Sequence, residues 1–328
     1  MKKFLSLALA LVLVLSMSTV AFATDYDNYL DVDPVVPKTY VVNNGTAPAE
    51  SFTFSFTGVS YKNGDGETVA NATIPAIDNV TISFDAISKT ASKSVAVDID
   101  ANDYELGVYT YKVTEVAGST AGVTYSDEEL YLVLTILRDE NSNQHYVAAM
   151  HYESATSTDK SSGFTNEYDA GSLAVTKDIK GNMADMDKEF AFTIVFTAPT
   201  GETVNSAITV SKPDGTTENI TFAAGVTTFT YTINLGDDDT VTFTNIPEGV
   251  TYTVSEDAEN YTSDNGVFSD ENKSISANDE DTVIFTNTLT NNVDTGITMD
   301  SVPYILLLAV TCMGLFVFIS KKRVMREF

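Results

Sequence analysis

The chain has 328 residues, 43% of them hydrophobic and 10% aromatic, a composition that builds packed cores and excludes a disordered chain. Acidic side chains number 46 against 18 Lys and Arg, a formal net charge of -28, and residues 24–295 alone carry 44 acids against 12 bases. Such a surface repels phosphate backbones and anionic lipid head groups, so a nucleic-acid reader and a peripheral membrane binder are excluded as first readings.

The chain opens with Lys2 and Lys3, an apolar run from Phe4 to Leu15, and Ala21, Phe22 and Ala23 before Thr24. These are the charged, apolar and small-residue zones of a secretory signal peptide over residues 1–23, cleaved after Ala23. From residue 24 to 168 the pattern is that of β-strands. Phe52, Phe54 and Phe56 alternate with Thr53, Ser55 and Thr57, and Val95, Val97 and Ile99 alternate with Ala96, Asp98 and Asp100. Turn chemistry separates such runs, as in Asn63 to Gly66. His145 and His151, the two histidines, lie in the strand-like stretch Gln144 to Tyr152 and read as structural residues rather than metal ligands.

A boundary falls near Glu167 to Gly171, where Phe164, Thr165 and Asn166 close one pattern and Leu173 to Lys177 open the next. Residues 169–290 repeat the plan: Phe190, Phe192, Ile194 and Phe196 alternate with shorter residues, and Lys212 to Gly215 and Pro247 to Gly249 read as turns. The acidic run Asp237 to Asp239 reads as a solvated turn, and no metal site is expected. The whole is an all-β protein, two tandem immunoglobulin-like β-sandwiches. Residues 291–328 form a separate tail: Thr295 and Gly296, an apolar helix over Val302 to Ser320 long enough to cross a bilayer, then Lys321, Lys322, Arg323 and Arg326, which hold the end in the cytoplasm. The lone cysteine, Cys312, sits in that helix, so the globular part has no disulfide, zinc-thiolate site or cysteine nucleophile.

Within each half three polar residues recur at matched spacing. Lys38 precedes Glu115 by 77 residues and Lys177 precedes Glu256 by 79, and each half closes on Phe-x-Asn, at Asn166 and Asn287. Alternate residues of a strand share a face, and by that parity all six side chains point inward: Lys38 with Val36 and Tyr40, Glu115 with Tyr111 and Val113, Asn166 with Phe164, and the second set likewise. Burying an amine, a carboxyl and an amide is costly unless they satisfy one another, so each trio is expected to meet in its own core. Desolvation then favours a neutral, nucleophilic amine, which can attack the Asn carbonyl while the glutamate bonds the developing oxyanion and relays a proton to departing ammonia. The expected product is an internal Lys-Asn amide, Lys38 to Asn166 with Glu115, and Lys177 to Asn287 with Glu256. Asn245 also follows a Phe at two residues, but it precedes its glutamate and is set aside.

Phe243 to Gly249 followed by Tyr252, Val254 and Glu256 resembles the CnaB-type domain of Gram-positive surface proteins, and residues 30–168 look like the N-terminal domain of streptococcal backbone pilins of the T-antigen type. The tail resembles a sortase sorting signal over Asn292, Val293, Asp294, Thr295 and Gly296; Leu-Pro-x-Thr-Gly would have Leu and Pro at Asn292 and Val293, and Val-Pro-Thr-Gly would have Pro at Asp294. The resemblance implies spontaneous Lys-Asn isopeptide bonds, a structural role without enzymatic turnover or cofactor, and a place on the cell surface, anchored to the wall. It implies as partners a sortase, further copies of the chain in a covalent polymer, minor pilins and cell-wall peptidoglycan. The acceptor amine for polymerisation is expected at Lys160, with Lys62, Lys89, Lys93 and Lys273 as rivals. A monomeric wall-anchored adhesin with the same domains is the alternative.

Overall fold

The computed structural model of the chain describes residues 32–155, 160–291 and 302–324. The expected signal peptide and the Asn292 to Gly296 segment lie outside the described residues.

The described residues of the first half fold into nine strands: β1 (Val35–Val42), β2 (Glu50–Asn63), β3 (Val80–Phe84), β4 (Ala91–Ala96), β5 (Gly107–Glu115), β6 (Val123–Thr124), β7 (Glu129–Arg138), β8 (His145–Ser154) and β9 (Phe164–Tyr168). They make two sheets, ordered β4-β1-β9-β6 and β3-β2-β5-β7-β8. The second half contributes β10 (Ala170–Lys180), β11 (Phe190–Thr197), β12 (Ile208–Ser211), β13 (Thr217–Ile220), β14 (Thr228–Leu235), β15 (Thr240–Pro247), β16 (Thr251–Glu256), β17 (Thr262–Ser263), β18 (Val267–Phe268) and β19 (Glu280–Thr288). Its sheets are β13-β12-β15-β10-β19-β17, with β18 also on β19, and β14-β11-β16. The all-β expectation holds, and each pair of sheets encloses its own apolar core.

Period-two alternation places the side chains as the sequence implies. Strand β1 buries Val36, Lys38 and Tyr40, β5 buries Tyr109, Tyr111 and Val113, and β11 buries Phe190, Phe192, Ile194 and Phe196. Two expected runs are shorter than read. Phe56 is only half-buried, just before a register shift between Gly58 and Ser60, and β4 stops at Ala96 although Val97 still enters the core.

The first and last strands of each half lie side by side and parallel. Lys38 stands opposite Phe164 and Tyr40 opposite Asn166; Lys177 stands opposite Phe285 and Ile179 opposite Asn287. The two registers are therefore the same. Close approach of β9 to β1 depends on Gly163, whose φ is +113° and where a Cβ would fall 2.5 Å from the Pro37 carbonyl oxygen.

The halves are bonded to each other. The Asn44 side chain accepts the Ala170 N–H at 2.8 Å and donates to the Ala170 carbonyl. Asn245, in the left-handed region at φ 61°, accepts the Thr46 N–H at 2.8 Å and donates to the Thr46 carbonyl at 3.1 Å. Thr203 N–H donates to Ser119 O at 2.8 Å and Ala121 N–H to Thr203 O at 2.9 Å, which seats Ala121 in the second core.

At the C-terminal end, α1 (Val302–Val324) spans about 35 Å at 1.5 Å per residue. Among the described residues no helix is long and apolar enough to cross a membrane. The unbroken run of described side chains in α1 covers residues 303–317, all exposed and mostly apolar, so part of the span expected over Val302 to Ser320 falls outside it.

Candidate functional site

Strands β1, β5 and β9 converge on the first trio. Lys38 Nζ donates to Glu115 Oε2 at 2.6 Å, and the Asn166 side-chain N–H donates to Glu115 Oε1. The Lys38 and Glu115 side chains are both fully buried, and Asn166 is 0% exposed. The Phe52 ring lies 4.5 Å from the amine, which closes it off from water. Burial drives the Lys38 pKa from 10.5 down to about 8, against the opposing pull of the hydrogen bond and charge of Glu115.

Strands β10, β16 and β19 converge on the second. Glu256 Oε1 accepts from Lys177 Nζ at 2.9 Å and from Asn287 Nδ2 at 2.9 Å. Lys177 and Asn287 are both 0% exposed, and Phe190 stands 4.7 Å from the amine. Burial again lowers the lysine pKa, opposed by the bond to Glu256 and its charge. All six residues singled out on parity thus meet, three to a core.

One detail departs from the sequence reading. The glutamates were expected at the asparagine carbonyl oxygens, yet in both trios the carboxylate faces the amide nitrogen Nδ2, the atom that would leave. The Asn166 carbonyl is instead held by the backbone N–H of Ser126 at 2.9 Å, and Glu256 Oε2 accepts the Ser263 hydroxyl at 3.3 Å. Neither serine carried a signal in the sequence: one acts through its backbone, and the other sits in a two-residue strand.

The remaining candidates fall elsewhere. His145 Nδ1 contacts the Tyr104 carbonyl at 2.8 Å and His151 Nε2 the Glu153 carboxylate at 2.9 Å, so the histidines have separate structural partners. Asp178, Asp237 and Asp238 are close enough together to share a cation, but Asp237 already accepts the Ile179 N–H at 2.7 Å and Asp178 pairs with Lys180. Asn245, set aside on sequence order, belongs to the junction. Lys160 is exposed and bridges Glu153 in antiparallel fashion. Among its rivals, Lys93 donates to the Ser83 carbonyl at 2.7 Å and Lys273 lies 3.9 Å over Phe268, while Lys62 and Lys89 are exposed.

Residues 36–169 match the family described as the Spy0128-like isopeptide containing domain, and residues 171–289 match a domain of unknown function, DUF7601. A pilin of Streptococcus pyogenes serotype M1 is 28% identical over 300 residues, covering 86% of this chain and 88% of that protein. The chain resembles a major pilin. The major pilin of S. pyogenes in its crystal structure aligns with a TM-score of 0.51 at 21% identity over 80% of this chain and 99% of that one. The T3.2 major pilin of the same species gives 0.52 at 20% identity over 78% and 98%. These two likenesses establish that the tandem sandwiches share the pilin fold.

Proposed function

We propose that this chain is the backbone subunit of a covalent surface pilus, with each sandwich locked by an amide between its first and last strands. The observation that carries the reading is the repeated trio: a buried amine, carboxyl and carboxamide, at the same register between parallel terminal strands, in both halves. In each, Nζ adds to the asparagine Cγ, the new C–N bond replaces Cγ–Nδ2, and the amine proton passes through the glutamate to the departing ammonia. The step occurs once per site, so it is self-modification and not turnover.

The ends supply export and joining. The signal peptide directs secretion, and the apolar helix with its basic tail holds the precursor in the membrane until a sortase cysteine attacks the Thr295 carbonyl and releases the Gly296-led tail. The acceptor on the next subunit is Lys160, exposed and close to the edge where the chain crosses from β8 to β9. Minor pilins and peptidoglycan complete the assembly on the cell surface. The monomeric adhesin is not favoured, because the matched relatives, aligned over most of their length, are pilins. A boiled wall extract of the native host tests the reading: the pilin gives a ladder of high-mass species, collapsed to a single band by Thr295→Ala. A single band from the unaltered chain would contradict it.

A further inference from the structure

The two trios share residues and register but differ in how the amide oxygen is held. When an amine adds to an amide carbon, negative charge collects on the carbonyl oxygen, and in a site closed to water only a protein donor can take it up. In the first domain β6 pairs with β9 as far as Thr124 opposite Glu167, and the chain beyond it delivers the Ser126 N–H to Asn166 Oδ1 at 2.9 Å. Glu115 then has one oxygen for the nucleophile and one for the leaving nitrogen. Nucleophile, proton relay and oxygen donor are three separate groups.

The second domain lacks this division. A single oxygen, Glu256 Oε1, serves both Lys177 and Asn287, while Oε2 accepts the Ser263 hydroxyl and Lys177 Nζ also donates to the Phe285 carbonyl at 3.3 Å. Asn287 Oδ1 is buried and has no hydrogen-bond partner among the described residues. Although Ser263 stands opposite Asn287 in the β17 to β19 pairing, its hydroxyl is spent on the glutamate and not on the amide oxygen.

We propose that the backbone N–H of Ser126 is the oxyanion donor of the first domain's cross-linking reaction, and that this domain therefore closes its amide before the second. The inference rests on the cross-linking reading above. The atoms balance as there: the Nζ–Cγ bond forms, Cγ–Nδ2 breaks, one amine proton travels by way of the Glu115 carboxyl to Nδ2, and ammonia leaves. The Ser126 N–H keeps its proton throughout and stabilises the tetrahedral oxygen only while it carries charge.

The test follows the two links separately in the full chain. The chain is made by cell-free translation, sampled over time, denatured and digested, and the Lys38-Asn166 and Lys177-Asn287 peptide pairs, each lighter by one ammonia, are counted by mass spectrometry. The Lys38-Asn166 pair is expected first. Ser126→Pro, which has no N–H, should delay that pair by roughly 100-fold or more. An amide-to-ester replacement at position 126 removes the same donor while keeping the serine side chain and should do likewise. The Lys177-Asn287 pair in the same molecules is the internal clock. Because the first domain is also synthesised first, the ester variant, which keeps the serine side chain, decides where Ser126→Pro does not fold. Both pairs forming together, or the first pair keeping its rate in the ester variant, would overturn this inference alone. If neither pair ever forms, the cross-linking reading falls and takes the inference with it.

Discussion

Lys38, Lys177 and Asp281 are all buried ionisable groups, and they differ in what meets them. Each lysine faces a glutamate and a carboxamide, whereas Asp281 on β19 is 5% exposed with an Oδ2 that has no partner among the described residues. Burial raises its pKa above the ordinary 3.8, the Tyr252 side chain opposes the shift, and Asp270 and Asp279 add to it. A carboxyl with a raised folded pKa holds its proton more tightly folded than unfolded. Its contribution to stability is therefore full at low pH and is lost as pH rises past 3.8 toward the folded value. Asp281→Asn should accordingly raise the melting temperature at pH 7, and the gain should vanish below about pH 3.8; an equal gain at both pH values would show that charge is not the cause. In the trios, Glu115→Ala and Glu256→Ala should each leave the intact mass heavier by one ammonia, since each removes the proton relay of one site. If either variant kept the full mass loss, its glutamate would have no part in the chemistry.

At the scale of elements the parallel pairs β1 with β9 and β10 with β19 carry the design, because the proposed amide across them would tie the two ends of a sandwich together. By the loop-closure argument used for disulfides, such a link around a loop of about 100 residues stabilises by roughly 4 to 5 kcal/mol. Asn166→Ala should lose about that much from the first domain's unfolding free energy in denaturant. A loss of under about 1 kcal/mol would mean that no link constrains the unfolded chain. The sandwiches and the trios were legible because period-two alternation fixes which face a strand residue occupies: Lys38, Glu115 and Asn166 announce themselves as polar groups on apolar faces. Ser126 did not, since a backbone donor is independent of residue type and its place depends on how β6 meets β9. The junction was equally silent. Asn44 and Asn245 bond backbone atoms 126 and 199 residues away, a pairing that no local pattern encodes. Replacing Asn245 by Ala should speed amide exchange at Thr46, whose N–H it accepts, at a cost of about 1 to 3 kcal/mol to the junction; unchanged exchange at Thr46 would show that the contact does not hold the halves.

For the whole molecule, the consequence is a load path. If Thr295 of one subunit joins Lys160 of the next, as proposed, tension would enter just before β9, follow the chain through β10 to Lys177, cross to Asn287 on β19 and leave toward Thr295. The second domain's proposed amide would lie in that path, whereas the first domain's would lie beside it and guard β1 to β8 against unfolding and proteolysis. Lys160→Ala should abolish the ladder in the native host while leaving both internal amides intact; a persistent ladder would move the acceptor to another lysine, with Lys62 and Lys89 the exposed rivals whose amines have no contact described above. All of this depends on the buried trios having reacted. The most direct measurement is the intact mass of residues 24–295 expressed without any partner: reacted trios leave it lighter than the mass calculated from the sequence by two ammonia molecules, and a mass equal to the calculated value rules both internal amides out.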